Sequence, residues 1–207
     1  MKNRIVVFAN QKGGVGKSTL CILFANYLAY KHKPVCIIDT DLQKTIMSQR
    51  AKDAEVFEDE EPYSIQDFDI SDPETMQQLM DSPGNVSEDG LVPLFTGADY
   101  IVCPYEYEEK TLDSTGVFVG VVNKLREANP DMKGEMFFVP NRIDARIGTS
   151  EENRMWKQTD HIFKQIGSVT PRIASRATLK RINTYELLAT QRDAVSDCFD
   201  FMLRKMK

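Results

Sequence analysis

The feature that most constrains this chain is a glycine-rich segment at residues 12–19, with the sequence KGGVGKST. It follows a short apolar run at residues 4–9 (RIVVFA) and precedes a stretch of helix length at residues 18–30. Apolar runs of this length, bounded by turn residues, are typical of buried strands. Three glycines let a loop turn its backbone N–H groups inwards as a nest for an anion. We therefore predict a strand, a phosphate-binding loop and a helix.

The polar side chains of the loop fit nucleotide phosphates. Lys17 can reach the outer phosphates, and Ser18 supplies a hydroxyl for Mg²⁺. The helix that follows adds the positive end of its dipole. The predicted contacts to the nucleotide in this loop are Gly13, Gly14, Val15, Gly16, Lys17, Ser18 and Thr19.

Strand and helix signals alternate along the rest of the chain. Strands are predicted at residues 35–39, 63–68, 76–80, 99–104, 135–139 and 168–170, and helices at 43–54, 111–128, 151–166 and 192–205. This rhythm is typical of a parallel sheet with helices on both faces. The predicted fold class is α/β, a three-layer sandwich with a mostly parallel central sheet, as in P-loop NTPases. A chain of 207 residues can form one such core, so we expect a single domain over residues 1–207.

The apolar segments and the cysteines indicate in which compartment the protein acts. No apolar run approaches the roughly 18 residues that span a bilayer, and the start of the sequence lacks the pattern of a secretory leader. We expect a cytoplasmic protein without stable membrane association. The four cysteines are far apart, which indicates neither a disulfide framework nor a metal site.

Charge is unevenly distributed. Residues 1–51 carry eight Lys/Arg against two acids, and residues 52–115 carry two against eighteen. From Pro140 onwards there are thirteen Lys/Arg against eight acids. Any attraction to nucleic acid must therefore come from a local patch, because the whole chain has a net charge of −5.

Two motifs near the N-terminus resemble those of a known family. Gln11 stands where P-loops usually begin with glycine, and Lys12 follows it. The run KGGVGKST resembles the deviant Walker A motif of the ParA/MinD family. Residues 39–43 (DTDLQ) are similar to that family's DxDPQ motif, with Leu42 in place of proline. The chain length is similar to that of the small ParA-type partition ATPases.

The resemblance implies roles for individual residues. Lys12 is implied to reach across an ATP-sandwiched dimer to the partner's phosphates. The catalytic residues that the resemblance implies are Lys12, Lys17 and Asp41. Asp41 matches the acid that positions the attacking water, and Asp39 the acid near the metal. Carboxylates two residues apart at a strand end point the same way. Such an acid pair can also cap the following helix, and both interpretations stay open here.

A third acid resembles the Walker B aspartate. The segment Asp81-Ser82-Pro83-Gly84 is similar to that motif with its turn, so Ser18, Asp39 and Asp81 are the expected Mg²⁺ ligands or their neighbours. The strand expected before it contains two glutamines, where a buried parallel strand is usually apolar. Asp81 could alternatively be a turn residue.

Base recognition is expected from two later loops. Asn141 and Arg142 fall where the family has its adenine-side loop, and Pro171 resembles the segment whose backbone lines the adenine pocket. Residues 141–144 (NRID) are also close to the guanine-reading NKxD pattern. This loop alone leaves GTP open, and the type of P-loop favours ATP.

The resemblance also implies a function. A ParA-like protein forms a homodimer with ATP, binds DNA without sequence specificity, and is released when a ParB-like centromere-binding adaptor stimulates slow ATP hydrolysis. Such a protein acts in DNA partition and is nucleoid-associated when ATP-bound. The candidate DNA contacts are Arg172, Arg176, Lys180 and Arg181, and a solvated basic face is the alternative.

Two other functions remain open. A MinD-like membrane-cycling ATPase would use an apolar stripe on the last helix, formed by Val195, Phe199, Met202, Leu203 and Met206. A metabolic relative, such as an ATP-dependent amide synthetase, is the third. The lack of paired cysteines argues against a relative of the nitrogenase iron protein, and Lys12 with DTDLQ favours partition over a synthetase.

Overall fold

The computed structural model describes residues 4–41, 43–58, 60–67, 77–81, 94–144 and 148–206. Its centre is a seven-stranded sheet in the order β3-β2-β4-β1-β5-β6-β7. The strands are β1 Ile5–Phe8, β2 Val35–Asp39, β3 Ser64–Asp67, β4 Gln77–Asp81, β5 Tyr100–Tyr105, β6 Glu135–Pro140 and β7 Ser168–Val169. All neighbouring strands pair in parallel.

Helices cover both faces of the sheet. They are α1 Lys17–Tyr30, α2 Thr45–Ala54, α3 Glu109–Ala128, α4 Ser150–Lys164 and α5 Ala189–Lys205, with a 3-10 turn at Ala177–Lys180. Side chains of α1, α2 and α5 form one core with the sheet, and side chains of α3 and α4 form the other. This three-layer arrangement confirms the predicted fold class. None of the helices in the described part of the chain has the length and apolar character that crossing a membrane requires.

Successive residues of β1 supply the two cores in turn. Val6 and Phe8 face the core under α1, whereas Val7 and Ala9 face the core under α3. This alternation follows from the two-residue period of a strand. A strand that is buried on both faces must be apolar throughout, which is why RIVVFA is such a strong signal.

The apolar stripe of α5 belongs to the first core. Val195, Phe199 and Met202 are almost completely buried, and Phe199 contacts the rings of Phe24 (5.0 Å between centroids) and Tyr27 (5.5 Å) in α1. Leu203 and Met206 are partly buried against the same core. The stripe that could have served a membrane contact is therefore used to hold α5 on α1.

The register of the sheet brings three aspartates to the same level. Asp39 is opposite Asp67 in β3 on one side and opposite Asp81 in β4 on the other, and Asp81 is in turn opposite Phe8 in β1. All four residues end their strands at the carboxyl edge of the sheet. The phosphate-binding loop leaves β1 at this edge, so the acidic strand ends lie beside it.

Most predicted elements are present with shifted ends. The strand expected at residues 76–80 is β4, which lies between β2 and β1 and ends at Asp81, so Asp81 closes a strand. The 3-10 turn at Ala177–Lys180 was not expected. The turn predicted after Asp81 and the substitution at Leu42 lie outside the described residues.

Candidate nucleotide-binding site

Residues 12–19 form a loop that hands over to α1. Gly14 and Gly16 have φ angles of 81° and 98°, in the left-handed region that favours glycine. Helix α1 begins at Lys17, directly after Gly16. Because Gly16 has no side chain to cap the helix, the first N–H groups of α1 are left for an anion, as in other phosphate-binding loops.

Asn141 closes this loop from the neighbouring strand end. Its side-chain amide donates a hydrogen bond to the carbonyl of Val15 (2.8 Å) and is buried. A Cβ on Gly16 would lie 2.6 Å from the same nitrogen. The next residue, Arg142, donates to the carbonyl of Gly14. The loop after β6 thus binds two carbonyls of the phosphate loop. The sequence predicted a contact of Asn141 and Arg142 with the base, and it did not predict these two bonds.

Lys17 lies inside its own loop. The residue is 8% exposed, and its ammonium donates to the carbonyl of Lys12 at 3.3 Å. Ser18 and Thr19 follow on the first turn of α1 and are half-buried. Lys12 itself is half-buried, and its backbone N–H donates to the side chain of Asn10 (3.0 Å). The two lysines therefore occupy different environments within one loop.

Asp39 is fully buried and caps α2. One carboxylate oxygen accepts hydrogen bonds from the backbone N–H groups of Ile46 and Met47, both at 3.0 Å. The other accepts from the N–H of Asp41 (3.2 Å). The capping role that the sequence left open is therefore present. It fixes the direction of the carboxylate at the carboxyl edge of the sheet.

Asp41 is more accessible than Asp39. It is half-buried, and its carboxylate accepts from the backbone N–H of Gln43 at 3.1 Å. Lys44, which sequence reasoning missed, has a left-handed backbone (φ 47°) and donates to the carbonyl of Asp39 (3.0 Å) and to Asp67. Lys44 thus ties the loop after β2 to the end of β2, through the carbonyl of Asp39, and to the end of β3, through the carboxylate of Asp67.

The candidate metal-ligand residues at this edge, Ser18, Asp39 and Asp81, all offer oxygen atoms, which are the ligands that Mg²⁺ prefers. Ser18 lies on the phosphate loop, and Asp39 and Asp81 are neighbours in the sheet register. Among the described residues, no three acids, histidines or cysteines converge on one point. Mg²⁺ usually takes one or two carboxylates and completes its octahedron with phosphates and water, so the residues present fit that ion.

A cavity of about 230 Å³ opens beside the phosphate loop. Its wall is formed by Thr19, Leu20 and Leu23 of α1, Asn141 and Arg142, and the segment from Ala174 to Ile182. Thr19 belongs to both the loop and the cavity wall. A nucleotide with its phosphates on residues 12–18 can therefore extend its base into this space. Pro171 is not part of the cavity wall, and the residues that line it in that region begin at Ala174.

A larger cavity of about 590 Å³ adjoins the first and shares Arg142, Ser175 and Lys180 with its wall. Asp144 and Glu106 contribute to its wall. Glu106 is 3.6 Å from the guanidinium of Arg142. Burial raises the pKa of Glu106, and Arg142 and Lys12 partly oppose that shift. The acid that the guanine-reading pattern requires, Asp144, thus lines the larger cavity and is not among the residues that line the cavity next to Thr19.

Arg172 is exposed, and its guanidinium contacts a polar and aromatic cluster on one side. Its guanidinium donates to Asp160 (3.1 Å) and to the hydroxyl of Tyr107 (3.1 Å), and it lies over the rings of Tyr107 and Trp156. Asp160 also accepts from the hydroxyls of Tyr105 and Tyr107. Burial and this carboxylate raise the pKa of Tyr107 to about 12. Arg172 therefore joins α4 to the strand ends.

The other members of the basic cluster are exposed. Arg176, Lys180 and Arg181 lie around the 3-10 turn, and no ion pair to any of them occurs within the described ranges. Arg176 and Lys180 also line the smaller cavity. All four cations of the predicted patch are exposed, and the structure separates Arg172, which is paired with Asp160, from the other three.

The fold and this loop define the chain as a P-loop nucleotide-binding protein. Residues 6–180 match the CobQ/CobB/MinD/ParA nucleotide binding domain (CbiA). The chain belongs to this family, which confirms the resemblance seen in the loop and in DTDLQ. A search of curated protein sequences found no significant match.

Solved structures share the fold over the whole chain. A plasmid partition protein from Borrelia burgdorferi bound to AMPPNP has a TM-score of 0.74 at 19% identity, covering 99% of this chain and 100% of that one. An ATP complex of a McdA variant from Cyanothece has a TM-score of 0.76 at 14% identity, covering 99% and 96%. The MinD cell division protein of Aquifex aeolicus has a TM-score of 0.66 at 18% identity, covering 98% and 97%. At these identities the likeness establishes the fold.

Proposed function

We propose that this chain is a Mg²⁺-dependent ATPase that dimerises around ATP and acts in DNA partition. The observation that carries the proposal is the pair of lysines in one phosphate loop. Lys17 is buried within its own loop, whereas Lys12 is only half-buried. A second cation at the phosphates offsets the charge that develops during phosphoryl transfer. We also propose that residues 1–207 form one domain, since the sheet takes strands from Ile5 to Val169.

The choice of ATP over GTP rests on the position of Asp144. Guanine recognition by an NKxD-like loop requires the acid at the edge of the base. Here Asp144 lines the larger cavity. The smaller cavity next to Thr19 is lined by Asn141, Arg142 and several residues between Ala174 and Ile182, and Asp144 is not among them. Equal or tighter binding of GTP would contradict this choice.

Bound Mg²⁺ would neutralise phosphate charge during the transfer. Ser18, Asp39 and Asp81 are the residues proposed to hold it, directly or through water. The three N–H groups on Asp39 fix the direction of its carboxylate before any ion binds. Asp41 is half-buried at the same strand end and is proposed to orient the attacking water.

The two lysines give the test of this function. We expect Lys17→Ala to abolish ATP binding, because the loop loses the cation that reaches the outer phosphates. We expect Lys12→Ala to bind ATP as a monomer and to lose both ATP-induced dimerisation and hydrolysis. Calorimetry measures the first effect, and light scattering with a slowly hydrolysed ATP analogue measures the second. A Lys12→Ala protein that dimerises and turns over normally would remove the proposal.

The role in partition is the part of the proposal that concerns partners. In it, the ATP dimer holds DNA through Arg176, Lys180 and Arg181, with Arg172 supporting the segment, and is nucleoid-associated in that state. A ParB-like centromere-binding adaptor stimulates hydrolysis and release. The family and the exposure of the three cations support this assignment. A gel-shift series with ATP at low salt, showing no retention of DNA, would contradict it.

A further inference from the structure

Asn10 is a buried amide between β1 and the phosphate loop, and it is 1% exposed. Its carbonyl oxygen accepts the backbone N–H of Lys12 at 3.0 Å. Its NH₂ group donates to the carbonyl of Pro104 in β5 (2.8 Å) and to the hydroxyl of Thr115 in α3 (3.0 Å), with the sulfur of Cys103 nearby at 3.5 Å. One side chain therefore joins the loop to a strand residue 94 positions later and to a helix residue 105 positions later in the sequence.

The orientation of this amide is fixed by its partners. Thr115 is completely buried, and its hydroxyl donates to the carbonyl of Thr111 at 2.8 Å. The proton of that hydroxyl is thus used within α3, which leaves a lone pair directed at the Asn10 NH₂. Since Pro104 also offers an acceptor there, a flipped amide would place its oxygen against two acceptors. The oxygen of Asn10 must therefore face Lys12.

The peptide groups of Lys12 are held from two sides. Asn10 accepts its N–H, and the ammonium of Lys17 donates to its carbonyl at 3.3 Å. A bound nucleotide competes for that ammonium, because its outer phosphates are stronger acceptors than a carbonyl. When Lys17 turns to the phosphates, the bond to Asn10 remains.

From this geometry we infer that Asn10 is a positioning residue, which holds Lys12 in place while ATP occupies the loop. The inference rests on the proposed function of Lys12. It adds that β5 and α3, through Pro104 and Thr115, set where that lysine can reach. Asn10 itself touches neither phosphate nor metal in this role.

The test compares Thr115→Val with Thr115→Ser. Valine has the shape of threonine without the hydroxyl, and serine keeps the acceptor for Asn10. We expect Thr115→Val and Asn10→Ala to bind ATP within about threefold of the original affinity and to weaken dimerisation with an ATP analogue roughly tenfold or more. We expect Thr115→Ser to dimerise normally. Calorimetry and light scattering give the two readouts, and the Thr115 pair decides if Asn10→Ala does not fold.

A structural role alone does not predict this pattern. A change that only disordered the loop would lower ATP affinity together with dimerisation, whereas the inference requires dimerisation to fall while ATP affinity stays within about threefold. The inference is overturned if Thr115→Val dimerises normally while Lys12→Ala does not, or if Thr115→Val loses ATP affinity as strongly as it loses dimerisation. If Lys12→Ala itself dimerises and hydrolyses normally, the proposed function fails and the role of Asn10 fails with it.

Discussion

Gly16 is the residue of the phosphate loop with the least room for a side chain. Its φ of 98° is strained for any other residue, and a Cβ would lie 2.6 Å from the Asn141 amide nitrogen. We expect Gly16→Ala to destabilise the chain by about 1–3 kcal/mol, since the backbone must change or Asn141 must leave Val15. ATP affinity should fall as well. Thermal unfolding and calorimetry measure the two effects.

Two other glycines provide the matched control. Gly116 and Gly120 lie in α3, are exposed, and have open space where a Cβ would be. Alanine has the higher helix propensity, so each Gly→Ala change there should stabilise the chain by about 0.5–1 kcal/mol. Equal effects at Gly16 and Gly116 would contradict the argument from space and φ.

Asp39 and Asp41 should differ in what their loss does. Asp39→Ala leaves the buried N–H of Ile46 without its acceptor and removes the cap of α2, at a cost of about 1–3 kcal/mol in unfolding free energy. Asp41→Ala removes a half-buried carboxylate with one local bond, and should cost less than about 1 kcal/mol.

Although Asp41→Ala should cost less stability than Asp39→Ala, we expect a direct effect of Asp41→Ala on the ATPase cycle. We expect the Asp41→Ala protein to dimerise with ATP and to stay dimeric, because it has lost the group that orients water. Chemical denaturation and ATP-dependent light scattering test the pair. Asp41→Ala with normal turnover would show that this carboxylate only closes a turn.

At the scale of elements, α2 is joined to the segment after the 3-10 turn by a buried polar cluster. Arg50 donates to the hydroxyl and to the carbonyl of Thr184 (2.8 and 2.9 Å). Asp53 accepts from the N–H and from the hydroxyl of the same residue (2.7 and 2.9 Å). Thr184 is fully buried, so each of these groups depends on the others for its hydrogen bonds.

We therefore expect Thr184→Val to cost about 1–3 kcal/mol, since it leaves Arg50 and Asp53 partly unsatisfied in the interior. Thr178→Val is the control. Its hydroxyl bonds to Thr190 at the surface, and its loss should change the unfolding free energy by less than about 0.5 kcal/mol. Urea unfolding of the two variants measures the difference, and a similar small effect for both would show that the cluster is not cooperative.

The elements that sequence predicts best are those whose signal is local. The apolar runs of β1, β2 and β5 are unbroken because both faces of the sheet are covered, and the loop glycines mark the start of α1. Strand β4 is harder, because Gln77 and Gln78 break the apolar pattern of a central strand. Its place follows from pairing with β1 and β2, which no local pattern encodes.

The candidate site divides in the same way. Lys17, Ser18 and Asp39 follow from motifs in one short stretch each. Asn10 and the cavity wall at residues 174–182 depend on contacts between distant segments, and so does the bond from Asn141 to Val15. A polar residue directly after a buried strand was the one signal for Asn10. The contacts of Arg172 with Asp160 and Trp156 had no sequence signal, because the sequence of a basic cluster does not show which member is paired.

At the scale of the whole molecule, the basic cluster can be tested by its exposed members. Changing Arg176, Lys180 and Arg181 to Ala should weaken ATP-dependent DNA retention equally across sequences and reduce its salt dependence, because exposed cations contact phosphates without reading bases. ATP affinity must be measured for the same variant, since Arg176 and Lys180 also line the cavity proposed for the base and their loss can weaken ATP binding. Gel shifts at several salt concentrations give the slope.

Arg172→Ala is the contrasting variant. It removes the guanidinium from Asp160 and from the faces of Tyr107 and Trp156, and because Arg172 is exposed we expect a loss of stability of about 1 kcal/mol or less. The salt slope of DNA retention should stay unchanged. A stable Arg172→Ala protein with a reduced slope would return this residue to the DNA-contacting set.

The strand order of the sheet has a consequence for how the chain is made. Strand β1 pairs with β4 and β5, so Ile5 can pair only after Gln78 has been synthesised, and Val6 only after Tyr100. The partner of Val15, Asn141, is synthesised 126 residues after it. At about 5–20 residues per second, that last interval is roughly 6–25 s of translation. The phosphate loop therefore leaves the ribosome well before the residue that closes it, so a growing chain carries the nucleotide-binding motif before that motif is fully assembled.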